Sequence, residues 1–264
     1  MKNTRRKFLK VAGLAVLGWS MRPASRLMAA HGAQSAEGLF MASKHGAPKH
    51  GEGLHAGRWI MLIDTNKLTP AIEQKCINAC HTNHNVPDIE TKQNIKWIWA
   101  EPLHNVFPEQ MHENIPGGTE RTTLVLCNHC TNPPCVRVCP TKATFQREDG
   151  IVMMDFHRCI GCRYCMAACP YGSRSFNFMD PRPHIKDAIP EFPTRTKGVV
   201  EKCEFCSERL AEGKLPYCVE VSEGAMMFGD LEDPESEVRK VLASRYSIRR
   251  KPELGTEPGV YYLI

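Results

Sequence analysis

Short apolar runs, not long periodic segments, dominate the hydrophobic pattern of this 264-residue chain. The clearest run, Arg58 to Asp64 (RWIMLID), predicts a buried first strand. Three further β-rich runs begin at Thr122, Ile151 and Val199, and each leads into a cysteine-containing segment. The apolar end from Gly259 to Ile264 predicts a closing strand. A short strand associated with a group of cysteines therefore recurs along the chain, four times in all.

The segments between the strands predict helices and long loops. Cys76 to His84 predicts a turn into a helix, and Asp233-Pro234 opens a short helical pattern. Residues 85–120 mix polar and aromatic side chains, which indicates an insertion, whereas residues 181–198 are rich in proline and predict a connecting loop. This mixture of short strands, helices and loops indicates an α+β fold.

The first thirty residues predict a twin-arginine export signal. The pair Arg5-Arg6 lies in a basic region, and the apolar run from Val11 to Trp19 is too short to span a bilayer. Twin-arginine export suits a chain that receives its cofactor in the cytoplasm, and we expect the protein in the periplasm or on the outer face of the cytoplasmic membrane. Met28-Ala29-Ala30 is the nearest candidate for cleavage, so removal after Ala30 and retention as a weak anchor both stay open.

Charge argues against a nucleic-acid partner once the signal is set aside. The first thirty residues hold seven of the 34 Lys and Arg and no acidic residue, which leaves 27 basic against 29 acidic residues in the remainder. Residues 31–56 are rich in Gly, Ala and His and predict a flexible linker. The sequence therefore offers no basic patch for nucleic acid, and membrane association is expected through partners or through an uncleaved N-terminus.

Cysteine is the most informative residue type, with 13 in the chain. Disulfides are the alternative for an exported protein, but the number is odd and the cysteines lie two to four residues apart within runs. The run from Cys159 to Pro170 reads CxxCxxCxxxCP, which is the ligand run of bacterial ferredoxins. Zinc competes for any CxxC pair, but four cysteines in one such run fit a zinc tetrahedron poorly.

A second run, from Cys127 to Pro140, has the same form with two extra residues, and in such pairs the fourth cysteine of each run ligates the other cluster. The same exchange joins the run Cys203-x2-Cys206-x11-Cys218 to Cys80. The expected ligands of three [4Fe–4S] clusters are Cys127, Cys130, Cys135 and Cys169 for cluster a; Cys139, Cys159, Cys162 and Cys165 for cluster b; and Cys80, Cys203, Cys206 and Cys218 for cluster c.

A fourth site would need cysteines at three positions that hold Pro70, Glu73 and Ser222 instead. Cys76 is then the remnant of that site and, like Ser222, is expected not to be a ligand, although ligation by serine or glutamate stays a rarer alternative. Cys76-x3-Cys80-His81 also resembles a widened haem attachment site, which conflicts with export of a folded protein. His129, His81 and His84 are expected to be covering or hydrogen-bonding groups.

The four runs resemble those of the four-cluster ferredoxin subunits of membrane oxidoreductases, such as the polysulfide, nitrite and formate enzymes. The likeness covers residues 58–264 and is strongest from Cys127 to Phe145. It implies two bacterial 2[4Fe–4S] ferredoxin-like modules with a pseudo-twofold relation. We expect module A to comprise residues 57–120, with the insertion, and 199–264, with a C-terminal extension; module B comprises residues 121–180.

Residues 58–64, 76–87 and 95–109 carry a narrower resemblance, to the DsrO-type periplasmic subunits of the sulfite-reduction-associated DsrMKJOP complex. This resemblance implies an electron relay between an NrfD-like, quinone-interacting membrane subunit and a multihaem cytochrome c. In the wider family the missing site faces a molybdenum subunit, so its loss implies a different partner. No catalytic triad or carboxylate pair stands out, and we expect a non-catalytic electron-transfer subunit of an oxidoreductase complex. The alternative is the same role in another periplasmic reductase of polysulfide, nitrite or molybdopterin type.

Overall fold

The computed structural model describes residues 53–109 and 121–264. The predicted signal, residues 31–52 of the predicted linker and residues 110–120 of the insertion lie outside these ranges. The strands are β1 (Trp59–Asp64), β2 (Ile98–Pro102), β3 (Thr122–Leu126), β4 (Thr144–Gln146), β5 (Val152–Met154), β6 (Ser175–Phe176), β7 (Val200–Glu201), β8 (Met226–Asp230), β9 (Ser247–Ile248) and β10 (Val260–Leu263). The helices are α1 (Pro70–Asn83), α2 (Leu103–Val106), α3 (Pro134–Arg137), α4 (Tyr164–Ala168), α5 (Ser207–Ala211), α6 (Tyr217–Glu220) and α7 (Glu237–Ser244).

One four-stranded sheet brings the start and the end of the described chain together. Its order is β8-β1-β10-β9, and β1 pairs in parallel with β10 and antiparallel with β8. Three two-stranded sheets, β2-β3, β4-β5 and β6-β7, lie elsewhere along the chain. The expected mixture of short strands and helices is confirmed, whereas the pseudo-twofold relation between two modules stays a prediction.

The central strand β1 is buried on both faces, which explains its unbroken apolar sequence. Met61 and Ile63 belong to the large core that also contains several cysteines. Ile60 and Leu62 point the other way, toward Val238 of α7. Since successive side chains of a strand alternate between faces, β1 separates the cysteine-rich core from a second, purely aliphatic one.

Helix α1 begins earlier than the sequence suggests. We predicted a turn into a helix at Cys76, but the helix already starts at Pro70 and runs without interruption to Asn83. Thr69 caps it, because its side-chain oxygen accepts the Ile72 N–H at 3.3 Å. Proline is favoured at the first helical position, where no intrahelical N–H bond is lost. The segment that would hold a cluster loop is therefore a regular helix.

A buried ion pair fastens the proline-rich connection to the core. Arg195 and Glu201 lie 2.6 Å apart, and both side chains are almost fully enclosed. Arg195 also donates to the carbonyls of His84 and Asn85, just beyond α1, while the Trp97 indole N–H donates to Glu201. The predicted loop thus lacks strands and α-helices over residues 181–198 but is held in place by charge-assisted bonds.

No helix among the described residues has the length and apolar character needed to cross a membrane.

Replacing Arg195 by methionine is expected to lower the free energy of unfolding by about 3–5 kcal/mol, because it leaves the Glu201 carboxylate buried without its partner. Chemical denaturation of the anaerobic protein measures the change. The matched control is Arg182→Met, since Arg182 pairs with Asp180 at the surface and its loss should leave stability nearly unchanged. Equal stability of the two variants would contradict the role assigned to the buried pair.

Candidate functional site

Twelve of the thirteen cysteines line three separate cavities, four in each, and all thirteen are free thiols. Cavity a contains Cys127, Cys130, Cys135 and Cys169; cavity b contains Cys139, Cys159, Cys162 and Cys165; cavity c contains Cys80, Cys203, Cys206 and Cys218. The space free of protein atoms is about 320, 270 and 300 Å³ respectively, part of it open to solvent. The structure therefore brings together the same three sets of four cysteines that the run-exchange argument grouped.

In each of the three runs that begin at Cys127, Cys159 and Cys203, a residue with left-handed backbone conformation precedes the second cysteine. His129, Gly161 and Phe205 have φ angles of 41°, 70° and 54°, although only one of the three is glycine. This conformation is costly for residues with a side chain, and it persists where the surrounding structure fixes it. Here it turns the backbone so that both cysteines of the pair face one cavity.

Gly161 also meets a packing constraint. A Cβ atom at this position would lie 2.4 Å from the carbonyl oxygen of Gly198, which no side chain can tolerate. The connecting loop therefore passes directly over the first turn of the run that begins at Cys159. At His129 and Phe205 the two rings stack on each other instead, with centroids 3.7 Å apart, and this stacking holds both left-handed turns.

Burial raises the pKa, and so disfavours the thiolate form, at six of these twelve cysteines. It raises the pKa of Cys203 to about 12, although the Phe205 N–H donates to its sulfur at 3.4 Å. Burial likewise raises the pKa of Cys130 to about 12, and the neighbouring Cys127 charge adds to the shift. At Cys139, which is less enclosed, desolvation is outweighed by several hydrogen bonds acting together, from Thr144, whose N–H donates at 3.4 Å, and from Thr141 and Ala143, and the pKa is lowered.

Four thiolates around one cavity repel each other, so they need a cationic centre between them. Iron supplies that charge and soft thiolate is its ordinary ligand in iron–sulfur clusters. Apolar walls surround the donors, including Met61, Ile98 and Leu126 at cavity c and Val152 at cavity a. The donor sets and their surroundings therefore fit [4Fe–4S] clusters.

Cavity a lies between the other two. Cys127 of cavity a acts electrostatically on Cys203 of cavity c, and both belong to the large core. Cys135 of cavity a acts on Cys165 of cavity b, and these two share the smaller core. The cavities thus form a row in the order c, a, b.

The two ends of the row differ in their access to solvent. Every cysteine of cavity c is buried, whereas Cys162 of cavity b is exposed. Ile160 and Tyr164 flank Cys162 and are 67% and 62% exposed. Ile160 nevertheless lines cavity b, so it borders both the cavity and the solvent. Met166 and Phe176 pack against the core beside cavity b.

Cys76 lies apart from all three cavities. Its thiol is fully buried and donates to the carbonyl of Cys218 at 3.3 Å. Glu73 accepts the Thr122 hydroxyl at 2.7 Å, and Ser222 accepts the Met226 N–H at 3.0 Å. The residues at the positions of the missing fourth site are therefore engaged with other protein groups.

The histidines near the runs make hydrogen bonds, as expected. His81 bonds to the Ile98 carbonyl at 3.1 Å, and burial lowers its pKa to about 4. His84 bridges the Cys80 carbonyl, at 2.7 Å, and the Glu208 carboxylate, at 2.9 Å. His129 accepts the Val152 N–H at 3.0 Å through Nδ1, which occupies that nitrogen.

Two buried groups at the cavities could not be identified from the cysteine runs. Arg174 lines cavity a, and Glu204 lines cavity c and accepts the Met154 N–H at 2.7 Å. The available signal was position: Glu204 lies inside a CxxC pair, and Arg174 follows Cys169 by five residues. Charged residues so close to expected ligands are candidates for a role toward the cofactor.

Comparison with known proteins agrees with this donor set. The family model described as 4Fe-4S dicluster domain matches residues 122–180, which hold every cysteine of cavities a and b. The protein is 39% identical to the Hdr-like menaquinol oxidoreductase iron-sulfur subunit 1 of Archaeoglobus fulgidus, over 98% of its own length and 97% of the relative. It is 37% identical to the menaquinone reductase iron-sulfur cluster-binding subunit of Nitratidesulfovibrio vulgaris, over 78% and 88%. It is 38% identical to the B subunit of the polysulfide reductase of Wolinella succinogenes, over 71% and 85%.

The two cysteines of α1 provide a matched test. Cys80→Ala removes one of four donors at cavity c, so the iron content per chain is expected to fall by about a third. Cys76→Ala removes a thiol one helical turn away that lines none of the three cavities, and iron content should stay the same. Iron analysis of anaerobically purified protein measures both, and equal iron in the two variants would refute the assignment of Cys80.

Proposed function

The chain belongs to the family of iron–sulfur subunits that carry a 4Fe-4S dicluster domain, and from this premise we propose that it is an electron-transfer subunit of a membrane-associated reductase complex. In our proposal it relays single electrons through three [4Fe–4S] clusters. The relay connects a quinone-interacting, NrfD-like membrane subunit to a multihaem cytochrome c. The complex is of the sulfite-reduction-associated type, and this chain is its DsrO-like component.

The grouping of twelve cysteines into three sets of four carries the proposal. A [4Fe–4S] cluster supplies reversible one-electron redox chemistry. The protein contributes the thiolate donors, the apolar walls and the N–H bonds to sulfur, and it keeps the three sites in one row. These are the requirements of a carrier that passes electrons without binding a substrate.

Two observations support the proposed partners. Relatives named for menaquinol and menaquinone favour a quinone-interacting membrane subunit. In the wider family the fourth site faces a molybdenum subunit. In this chain Cys76, the remaining cysteine of that site, is bonded to the backbone, which favours a different partner. A multihaem cytochrome c is the partner that the narrower resemblance implies.

Exposure of cavity b marks one end of the row as a place of electron exchange. Cys162 is a surface residue, and Ile160 and Tyr164 form an apolar border beside it. A partner bound there would come close to a ligand cysteine without any movement of the protein. The predicted twin-arginine signal puts this exchange in the periplasm or at the outer face of the membrane.

The second candidate function is electron transfer in another periplasmic reductase, and the likeness to the polysulfide reductase subunit favours it. Affinity purification of the full-length protein from its native membranes separates the two. A multihaem cytochrome c with a multi-spanning subunit supports the first proposal, and a molybdopterin-containing subunit supports the second.

Iron and acid-labile sulfide analysis with EPR of the anaerobic protein tests the proposed cofactors. Three cubes predict roughly 12 Fe per chain, since each cube holds four. A value near 16 would show that the fourth site is intact, and a colourless protein containing zinc would overturn the electron-transfer proposal. The Cys76→Ala variant is the control, because it should give the same iron content as the unmodified protein.

A further inference from the structure

A buried arginine occupies the wall between cavities a and b. Arg174 lines cavity a and is only 5% exposed. Its Nη1 donates to the Thr144 hydroxyl at 3.1 Å and contacts the Met154 sulfur at 3.8 Å. Thr144 and Met154 both line cavity b. One guanidinium therefore touches the surroundings of two cysteine sets.

Arg174 has no carboxylate partner within 4 Å in the described part of the chain. Arg195 is also deeply buried, but it has Glu201 at 2.6 Å. Moreover, Nη2 of Arg174 is buried and lacks a hydrogen-bond acceptor among the described residues. Burying a charge in this way is costly unless another charge compensates it.

The compensating charge is at the cysteines. Burial by itself would lower the pKa of Arg174, but the charges of Cys135, Cys165 and Cys127 outweigh it and raise the pKa. Cys135 belongs to cavity a and Cys165 to cavity b, so the compensating charge comes from both sets. Arginine stays protonated at any physiological pH, so the positive charge is permanent.

We propose that Arg174 is a fixed positive charge shared by the cofactors of cavities a and b, and that it raises the reduction potential of both. This inference rests on the proposed function, because it presumes clusters in these cavities. Reduction adds one negative charge to a site, and a nearby cation in a dry environment favours the reduced form. The cation lines cavity a and contacts two residues that line cavity b, so the reduction potential rises at both sites. Arg174 does not line cavity c, and the reduction potential of that site should be little affected.

The test compares Arg174→Gln, which removes the charge, with Arg174→Lys, which keeps it. EPR-monitored redox titration of the full-length protein follows the reduction steps, and the Cys80→Ala background identifies the step that belongs to cavity c. In Arg174→Gln we expect the ratio of reduced to oxidised cluster at a fixed potential to fall about tenfold for two steps, which is about 59 mV for a one-electron couple. The third step should not move, and Arg174→Lys should stay within about threefold of the unmodified protein.

Arg239→Gln is the matched control, since Arg239 belongs to α7 on the opposite face of the main sheet and donates to the Leu231 carbonyl. The inference would be overturned if Arg174→Gln keeps its full iron content and none of the three reduction potentials changes. It would also be overturned if all three potentials change equally. Either result would leave cluster binding intact. If Arg174→Gln loses iron, Arg174→Lys decides. If Arg174→Lys keeps its full iron content and has potentials near those of the unmodified protein, the role of charge is supported. If Arg174→Lys also loses iron, the role of Arg174 is structural instead. Absence of iron in the unmodified protein refutes the proposed function itself.

Discussion

The cost of burying sulfur as an anion governs this structure. Eight of the twelve cavity cysteines are buried, and at six of these eight desolvation and the charges of neighbouring thiolates oppose ionisation. Metal charge and N–H donation relieve that cost, which explains why the loops around the cysteines adopt left-handed turns that most residues avoid. The strands are short because the loops that carry the cysteines fill much of the core, where packed strands would otherwise lie.

The remnant of the fourth site illustrates the opposite solution. Where ligand positions hold proline and glutamate, the chain forms a capped helix, and the remaining thiol bonds to a backbone carbonyl. Because α1 also supplies Cys80, loss of one site did not remove the helix that completes another. Helix α1 therefore contributes Cys80 to a donor set, whereas Cys76, one turn earlier, takes part in ordinary packing.

Sequence reasoning predicted five of the ten strands in the described residues (β1, β3, β5, β7 and β10) and the three cysteine groups, because ligand spacing and strand pattern are local properties. It misplaced the start of α1, since the signal there was the Thr69-Pro70 cap and not the cysteines. Arg174 and Glu204 were not predicted, because their burial depends on how distant segments fold together. The spacing of cysteines along the sequence carries no information about that burial.

Pairing of β1 with β8 and β10 has a consequence for biosynthesis. The cysteines of cavities a and b come from one continuous stretch, Cys127 to Cys169, and can gather while the ribosome is still at work. Cavity c joins Cys80 to Cys218, and β1 pairs in parallel with β10, so this site depends on segments that are far apart in the sequence. We therefore expect the donors of cavity c to gather later than those of cavities a and b.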